Sequence, residues 1–538
     1  MLSKKLSRII ALLIVVVMLA AGCAPKQAEQ QASPETTQAT QTSGTTENTE
    51  PKYGGVLRVA KNEDPASLDM HVEGSESAQT PGSHIFEPIL TTDAGGNPVP
   101  MLCYFEVQDE GKKIVLTLRQ NVKFHNGDIM DQDDIIASIN RWLKYSSNGK
   151  KTIGNLLASI EKSGTDKVII NLNGPSPLAT MALANFDQGP YVMPKEVIEA
   201  AGEDKVKEYI GTGPYKFEEW QPDRYIRVTK FKDYTPIDAE PSGLSGKKYA
   251  YVDEIQFIPG KDPMTKIAGV QSGDYDISLG VPSNMFNQLS SDPNLRVELV
   301  KMGIFPAAIL NMKEGIMTNQ KLRQAVLLCL NMEEIMLASE GDPNFYELHP
   351  CWQPSGTMWW NDIGKDLYNK PDLEKAKQLV KESGYNGEKI IWLTSKTYDY
   401  FYKPAMIAGE MMKKIGLNVE FSVVDRATLG DLRNQPDKYN IFSAGMTAKP
   451  DPSQIAFLGE NWAGWYDTPK KRELMEKLTN EVDQNERKKA WEQICELLYE
   501  EVPAITFGER KSGGVMNKKV QGFFEGDKQY YWNMWINE

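Results

Sequence analysis

The sequence predicts an α/β protein of more than one lobe, on three observations. From residue 52 to the C-terminus, segments with the β-branched or alternating character of strands take turns with segments of helical period, and no repeat of fixed length underlies them. The chain is 538 residues long, which at about 150 residues per domain suits roughly three domains or two large lobes. An apolar fraction of 41% is ample for sizeable cores. The alternation excludes a solenoid and an all-helical bundle, and the composition excludes collagen, mucin and wholesale disorder.

Strands are expected at 56–60, 114–119, 167–172, 225–231, 254–259 and 389–395. Asp131 is placed to cap a helix with Asp134 at its third position, after which Ile135, Ile136, Ile139, Trp142 and Leu143 share one face. A second helix, 371–383, stops at Gly384 and turns Leu373, Ala376, Leu379 and Val380 inward. A third, 404–415, stops at Gly416 and buries Ile407, Met411 and Ile415, while Ala490, Trp491, Ile494, Leu497 and Leu498 form a last stripe near the C-terminus.

The N-terminus carries an address. Lys4, Lys5 and Arg8 precede the uncharged stretch 9–22. As a helix that stretch is about 21 Å long, short of the roughly 30 Å hydrocarbon core of a bilayer, so 1–22 reads as a secretory signal peptide. Its end, Leu19-Ala20-Ala21-Gly22-Cys23, resembles the lipobox of bacterial lipoproteins, with Ala20 where Leu is commonest. The resemblance implies cleavage before Cys23 and a diacylglycerol on its thiol, an anchor without a span; an ordinary secretory signal is the alternative. Residues 23–50 are rich in Thr, Gln, Ser and Glu, too poor in apolar side chains to offset their ordering entropy, and read as a disordered tether.

Chemistry is conspicuous by what is missing. With 60 basic and 73 acidic residues the formal charge is -13, the wrong sign for neutralising nucleic-acid phosphates. The chain contains no HExxH, CxxC, Walker A, GxSxG or dinucleotide-binding glycine motif. None of His71, His84, His125 and His349 has the close helical partner of a metal site, and His125, in Val122-Lys123-Phe124-His125-Asn126-Gly127, is expected to bond backbone at a turn. Cys103, Cys329, Cys351 and Cys495 are too dispersed for a disulfide framework or a zinc site; Cys329 and Cys495 lie on apolar helix faces as buried hydrophobes, and pairing of Cys103 or Cys351 stays open. No enzyme activity, cofactor or metal is expected.

Several phrases resemble, in order, the extracytoplasmic solute-binding proteins (family 5) that serve ABC importers for oligopeptides, dipeptides, nickel chelates and some glycans. They include Gly54-Gly55-Val56-Leu57-Arg58-Val59-Ala60, Asp64-Pro65-Ala66-Ser67-Leu68-Asp69, Ile85-Phe86-Glu87-Pro88-Ile89-Leu90 and Leu116-Thr117-Leu118-Arg119. Most specific is Gly211-Thr212-Gly213-Pro214-Tyr215-Lys216-Phe217, followed by Gln271-Ser272-Gly273-Asp274-Tyr275-Asp276-Ile277, Leu322-Arg323-Gln324-Ala325 and Glu374-Lys375-Ala376-Lys377. In their own right these phrases read as scaffold: the 211–215 turn is expected to use Gly for positive φ, and Arg119 and Asp128 to serve as ion-pair or turn residues.

The resemblance implies a two-lobed clamshell of the periplasmic-binding-protein type, class II with an enlarged first lobe and two hinge crossings. The crossings are expected near 307–311 and 502–507, which gives lobe 1 as 51–308 plus 505–538 and lobe 2 as 309–504. It further implies hinge closure on a solute, hand-over to the permease and ATPase subunits of an importer, a monomer, and anchoring at the outer face of the cytoplasmic membrane.

Peptide-binding members carry a Gly-Trp-x-x-Asp segment whose acid grips the ligand's α-ammonium. The corresponding stretch is Gly445-Met446-Thr447-Ala448-Lys449-Pro450-Asp451-Pro452, with Met446 for the Trp and Lys449 for the Asp. Lysine repels an ammonium, so either Asp451 takes over or Lys449 meets a carboxylate or phosphate; a solvent-facing Lys449 is the remaining reading. Trp352, Trp359, Trp360, Trp462 and Trp465 lie in loop-like stretches and serve either as core or as flat binding surface, with Trp462, Trp465 and Tyr466 the best candidate for a ligand wall. Ser75 and Ser77, in the small polar run 75–83, are expected on a flexible segment that faces the cleft. The functions left open are a receptor for a peptide or peptide-like solute, the same receptor for a glycan, small anionic acid or nickel chelate, and a secreted enzyme with an unrecognised site.

Overall fold

Three sheets carry the architecture, and each sheet's exposure explains its sequence. The structure, a computed structural model, describes residues 50–524 and 528–537; the signal segment 1–22, Cys23 and all but the last residue of the tether lie outside them. Strands Val56–Lys61, Tyr225–Lys230, Glu254–Pro259, Ile277–Val281, Leu295–Lys301 and Glu509–Asn517 belong to an eight-stranded mixed sheet that also takes in Tyr215–Gln221 and Tyr346–Glu347. A four-stranded antiparallel sheet runs Cys103–Gln108, Lys113–Leu118, Lys167–Leu172, Leu157–Ser163. In it Ile114, Leu116, Val168 and Ile170 alternate with more exposed neighbours, because only one face meets the core under helix Gln132–Tyr145. The third sheet, in the order Asn418–Val424, Lys389–Ser395, Ile441–Thr447, Ile304–Leu310, Ala504–Thr506, is covered on both faces. Along Ile304–Leu310, Phe305, Ala307 and Ile309 enter one core while Ala308 and Leu310 enter the other, hence an unbroken apolar run.

The helices follow their caps. Asp131 forms a capping box with Asp134 at the start of Gln132–Tyr145, and Asp372 caps Leu373–Glu382 through the Lys375 amide. In helix Gln484–Glu501 the stripe from Ala490 to Leu498 is buried. The third helix begins earlier than its periodicity suggested, at Asp399, and carries Pro404 within it. Residues 75–83, expected to be flexible, instead form most of helix Glu76–Ile85, buried from Ser77 onward. Small side chains let it sit close: a Cβ on Gly82 would stand 2.2 Å from Met70 Sδ.

The conspicuous phrases of the first lobe brace one another. Glu87, fully buried, meets Lys248 Nζ at 3.1 Å and accepts hydrogen bonds from Thr212 and Tyr234. Asp69 pairs with buried Arg141 at 2.5 Å. Arg119 donates to the carbonyls of Met101 and Thr235, so it ties backbone rather than an acid, and Asp128 closes its turn on Asn126. His125 bonds the backbone of Gly211 and Gly213, as a turn residue should. The glycines of that phrase do not supply positive φ: a Cβ on Gly211 would stand 2.1 Å from the Ile85 carbonyl oxygen and one on Gly213 2.3 Å from that of His84. Their requirement is close backbone approach.

Two short connections join the first and third sheets directly, apart from the longer excursion from the third that sets Tyr346–Glu347 beside Glu509–Asn517. The chain leaves the first after Lys301 and enters the third at Ile304; it leaves the third after Thr506 and re-enters the first at Glu509. The passages run side by side, Met302 N donating to the Arg510 carbonyl at 3.0 Å and Phe507 N to that of Pro306 at 2.9 Å. Gly303 adopts φ +58°, and a Cβ on Gly508 would stand 2.9 Å from the Glu347 carbonyl oxygen, so each passage needs a glycine. Ile304–Leu310 pairs with Ile441–Thr447 along its whole length, so the first change of sheet falls at 302–303. The second falls at 507–508.

Two outcomes test this packing. Gly211→Ala is expected to destabilise the protein by about 1–3 kcal/mol through overpacking, measured by urea unfolding. Burial holds the imidazoles of His84 and His125 down at about 3 and about 4, and that of His71 below its usual range. Unfolded, each binds a proton near pH 6.5, so below that pH the unfolded state holds more protons and stability falls as pH drops. Asp134, pushed up to about 6 by burial, offsets one of them below that pH. Unfolding free energy is therefore expected to be flat above pH 7 and to decline from pH 6.5 to 4.5; a flat profile there contradicts buried neutral imidazoles.

Candidate functional site

A cavity of about 420 Å³ opens where the two passages meet, within the roughly 300–1,000 Å³ range of small-molecule sites. Lys301, Gly303 and Glu509, from the passages themselves, form one side. The hairpin turn at 92–96 and the segments 181–187 and 243–244 contribute from the first lobe, and loops 353–359 and 448–450 from the third-sheet side. The two sides touch at the rim, where Met358 N donates to the Gly95 carbonyl at 2.8 Å.

Lys449 lines this cavity and has no ion pair or hydrogen bond among the described residues. Its position follows from its neighbours. Asp451 is 1% exposed; one carboxylate oxygen accepts from Ser453 N and Oγ, and the other meets Arg487 at 2.7 Å. Arg487 also donates to the Leu478 carbonyl and lies 5.2 Å over the ring of Trp359, whose Nε1 donates to the Pro450 carbonyl at 3.0 Å. This clamp fixes loop 448–451 and engages both oxygens of Asp451, which leaves Asp451 as scaffold. Trp359 doubles as cavity wall and core.

The other aromatic candidates sit elsewhere. Trp352 is buried against Phe305 and Phe457. Trp462 packs on Phe442 beneath Arg433, and Trp465 stacks on Tyr439 with Lys313 above it, both against the second core of the third sheet. Tyr466 and Met446 are buried in that core, and Trp360, 40% exposed, is away from the cavity lining. Ser75 and Ser77 hydrogen-bond to each other at 3.0 Å and are not lining residues. Cys103, Cys329, Cys351 and Cys495 are all buried free thiols, and burial pushes Cys329 up to about 12.

Sequence reasoning passed over three lining groups. Lys301 pairs with Glu347 at 3.3 Å and donates to the Ser355 carbonyl and Oγ. Glu509 is fully buried: His349 Nε2 lies 3.2 Å from Oε2, and Oε1 has no partner among the described residues. Gln353 is 2% exposed and its Nε2 has no acceptor. The signal for Glu509 was faint: a charge directly after an apolar strand and a Phe-Gly pair, where a loop would place it in water. Among the described residues no cluster of three or more His, Cys, Asp or Glu could hold a metal ion, and no helix is long and apolar enough to cross a membrane.

Asp451→Ala separates scaffold from ligand contact. It strands the buried Arg487 guanidinium and is expected to cost about 3–5 kcal/mol of stability in urea unfolding of the ligand-free protein; unchanged stability contradicts the clamp.

Known proteins share this fold. A probable peptide ABC transporter periplasmic-binding protein of Sinorhizobium fredii is 26% identical over 476 residues, 85% of this chain and 89% of that protein. The oligopeptide-binding protein AppA of Bacillus subtilis is 24% identical over 531 residues, covering 90% and 91%. Among solved structures, the ABC transporter substrate-binding protein CtaP of Listeria monocytogenes superposes with a TM-score of 0.75 at 20% identity, covering 90% of this chain and all of that one. Residues 87–466 match the model of the bacterial extracellular solute-binding proteins, family 5 (middle region). The chain belongs to that family of binding proteins, the bacterial extracellular solute-binding proteins of family 5.

Proposed function

We propose that the protein captures a peptide or peptide-like solute in the cavity at the double passage and delivers it to an ABC importer. The observation that carries this reading is the cavity itself, bounded by residues of both lobes and by the two passages, so that a bound solute contacts everything that must move for the lobes to close. The names of the Sinorhizobium and Bacillus relatives support a peptide and an importer with permease and ATPase subunits. In this reading residues 302–303 and 507–508 are the hinge, the signal peptide is removed, and Cys23 carries the lipid that holds the protein, through the tether, at the outer face of the cytoplasmic membrane. The protein works as a monomer and performs no chemistry on its cargo.

A second reading, a small anionic solute, is favoured by one observation: Lys449 lines the cavity without an ion pair among the described residues. Thermal unfolding separates the two. After partial denaturation and dialysis, a pool of free-amine di- and tripeptides is expected to raise the melting temperature with concentration, while glycans and nickel chelates do not. Lys449→Ala is expected to weaken that response about 3- to 10-fold by removing a partner for the peptide's carboxylate. A rise with a non-peptide acid alone, lost in Lys449→Ala, overturns the peptide reading in favour of the second.

A further inference from the structure

We propose that Glu509 and Gln353 anchor the amino-terminal end of the captured peptide, the carboxylate taking the α-ammonium and the side-chain amide donating to the first peptide carbonyl. The inference rests on the peptide reading and adds to it the orientation of the ligand and the residues that select it.

Unmet polar groups of opposite type carry it. Glu509 lines the cavity, is fully buried, and keeps Oε1 without a partner among the described residues. Such an oxygen is costly in a folded protein and becomes favourable when a ligand N–H reaches it. Gln353 lines the same cavity at 2% exposure with Nε2 lacking an acceptor. One group needs a donor and the other an acceptor, which is the complement of an ammonium and the carbonyl that follows it in a peptide.

The other acids near the site are committed. Asp451 is held by Arg487 and Ser453. Asp187 pairs with Lys528 at 2.7 Å and is half exposed, and Asp93 binds the Asn97 backbone and side-chain amides. Lys449 disfavours an ammonium beside it and suits a carboxylate, so a zwitterionic ligand has one preferred orientation. Glu509 also stands in the first strand position after the second passage, and its partner His349 lies in the segment between the strand Tyr346–Glu347 and Gln353. An ammonium held there touches the passage and that segment together.

The test compares a pool of free-amine tripeptides with the same pool N-acetylated, by concentration-dependent thermal shift of the purified protein. Acetylation removes the positive charge and is expected to weaken binding about 10- to 100-fold, the range of a charge-assisted hydrogen bond. Glu509→Gln is expected to lower affinity for the free-amine pool by the same factor, to erase the preference over the acetylated pool, and to leave the ligand-free melting temperature unchanged or raised. Gln353→Ala is expected to weaken both pools by about 2- to 10-fold. Equal binding of the two pools by the unaltered protein overturns the anchor while leaving the peptide reading intact, as does a preference for free amines that survives in Glu509→Gln. No binding of either pool overturns the peptide reading and the anchor with it. Should Glu509→Gln fail to fold, the acetylation comparison on the unaltered protein decides alone.

Discussion

The double passage between the sheets is the constraint from which the rest follows. Two short connections, each with a glycine that a side chain could not replace without strain or collision, are hydrogen-bonded to each other through Met302, Pro306, Phe507 and Arg510. They also bring Lys301 and Glu509, one from each passage, to the side of the same cavity. In the function proposed above, hinge and binding site are one piece of structure, and occupancy of the cavity bears directly on the angle between the lobes.

The polar groups divide into two kinds. Glu87 with Lys248, Asp69 with Arg141, and Asp451 with Arg487 are buried ion pairs that brace loops and helix ends. Removing one partner of such a pair leaves an uncompensated buried charge, which makes them costly to alter although they touch no solute. At the cavity, among the described residues, Lys449 has no ion pair, and Glu509 and Gln353 each keep an atom without a partner. Binding sites commonly hold polar groups whose partners come with the ligand.

Much of the fold was legible in the sequence, because the signals were local. The strand Glu254–Pro259 and the capped helix Gln132–Tyr145 fall where alternation and capping place them, since side-chain period and a capping acid act over a few residues. Helix Glu76–Ile85 was not legible: its small polar residues and Pro81 read as flexible, and only packing against Met70 shows why they are small. The site was less legible still. Lys449 stood out as a charge where an acid was expected, but the Trp462–Tyr466 loop, a surface candidate by composition, spends its aromatics on Phe442 and Tyr439. Burial of Glu509 depends on strands far apart in sequence, which no window of residues contains.

In the proposed function a solute is held between the lobes at the passages. Its most direct test is a crystal structure of the protein grown with the peptide that gives the largest thermal shift. The expected result is peptide density in the cavity at the double passage, in contact with both the 92–96 turn and loop 448–450. Peptide bound to one lobe alone, or outside that cavity, would contradict it.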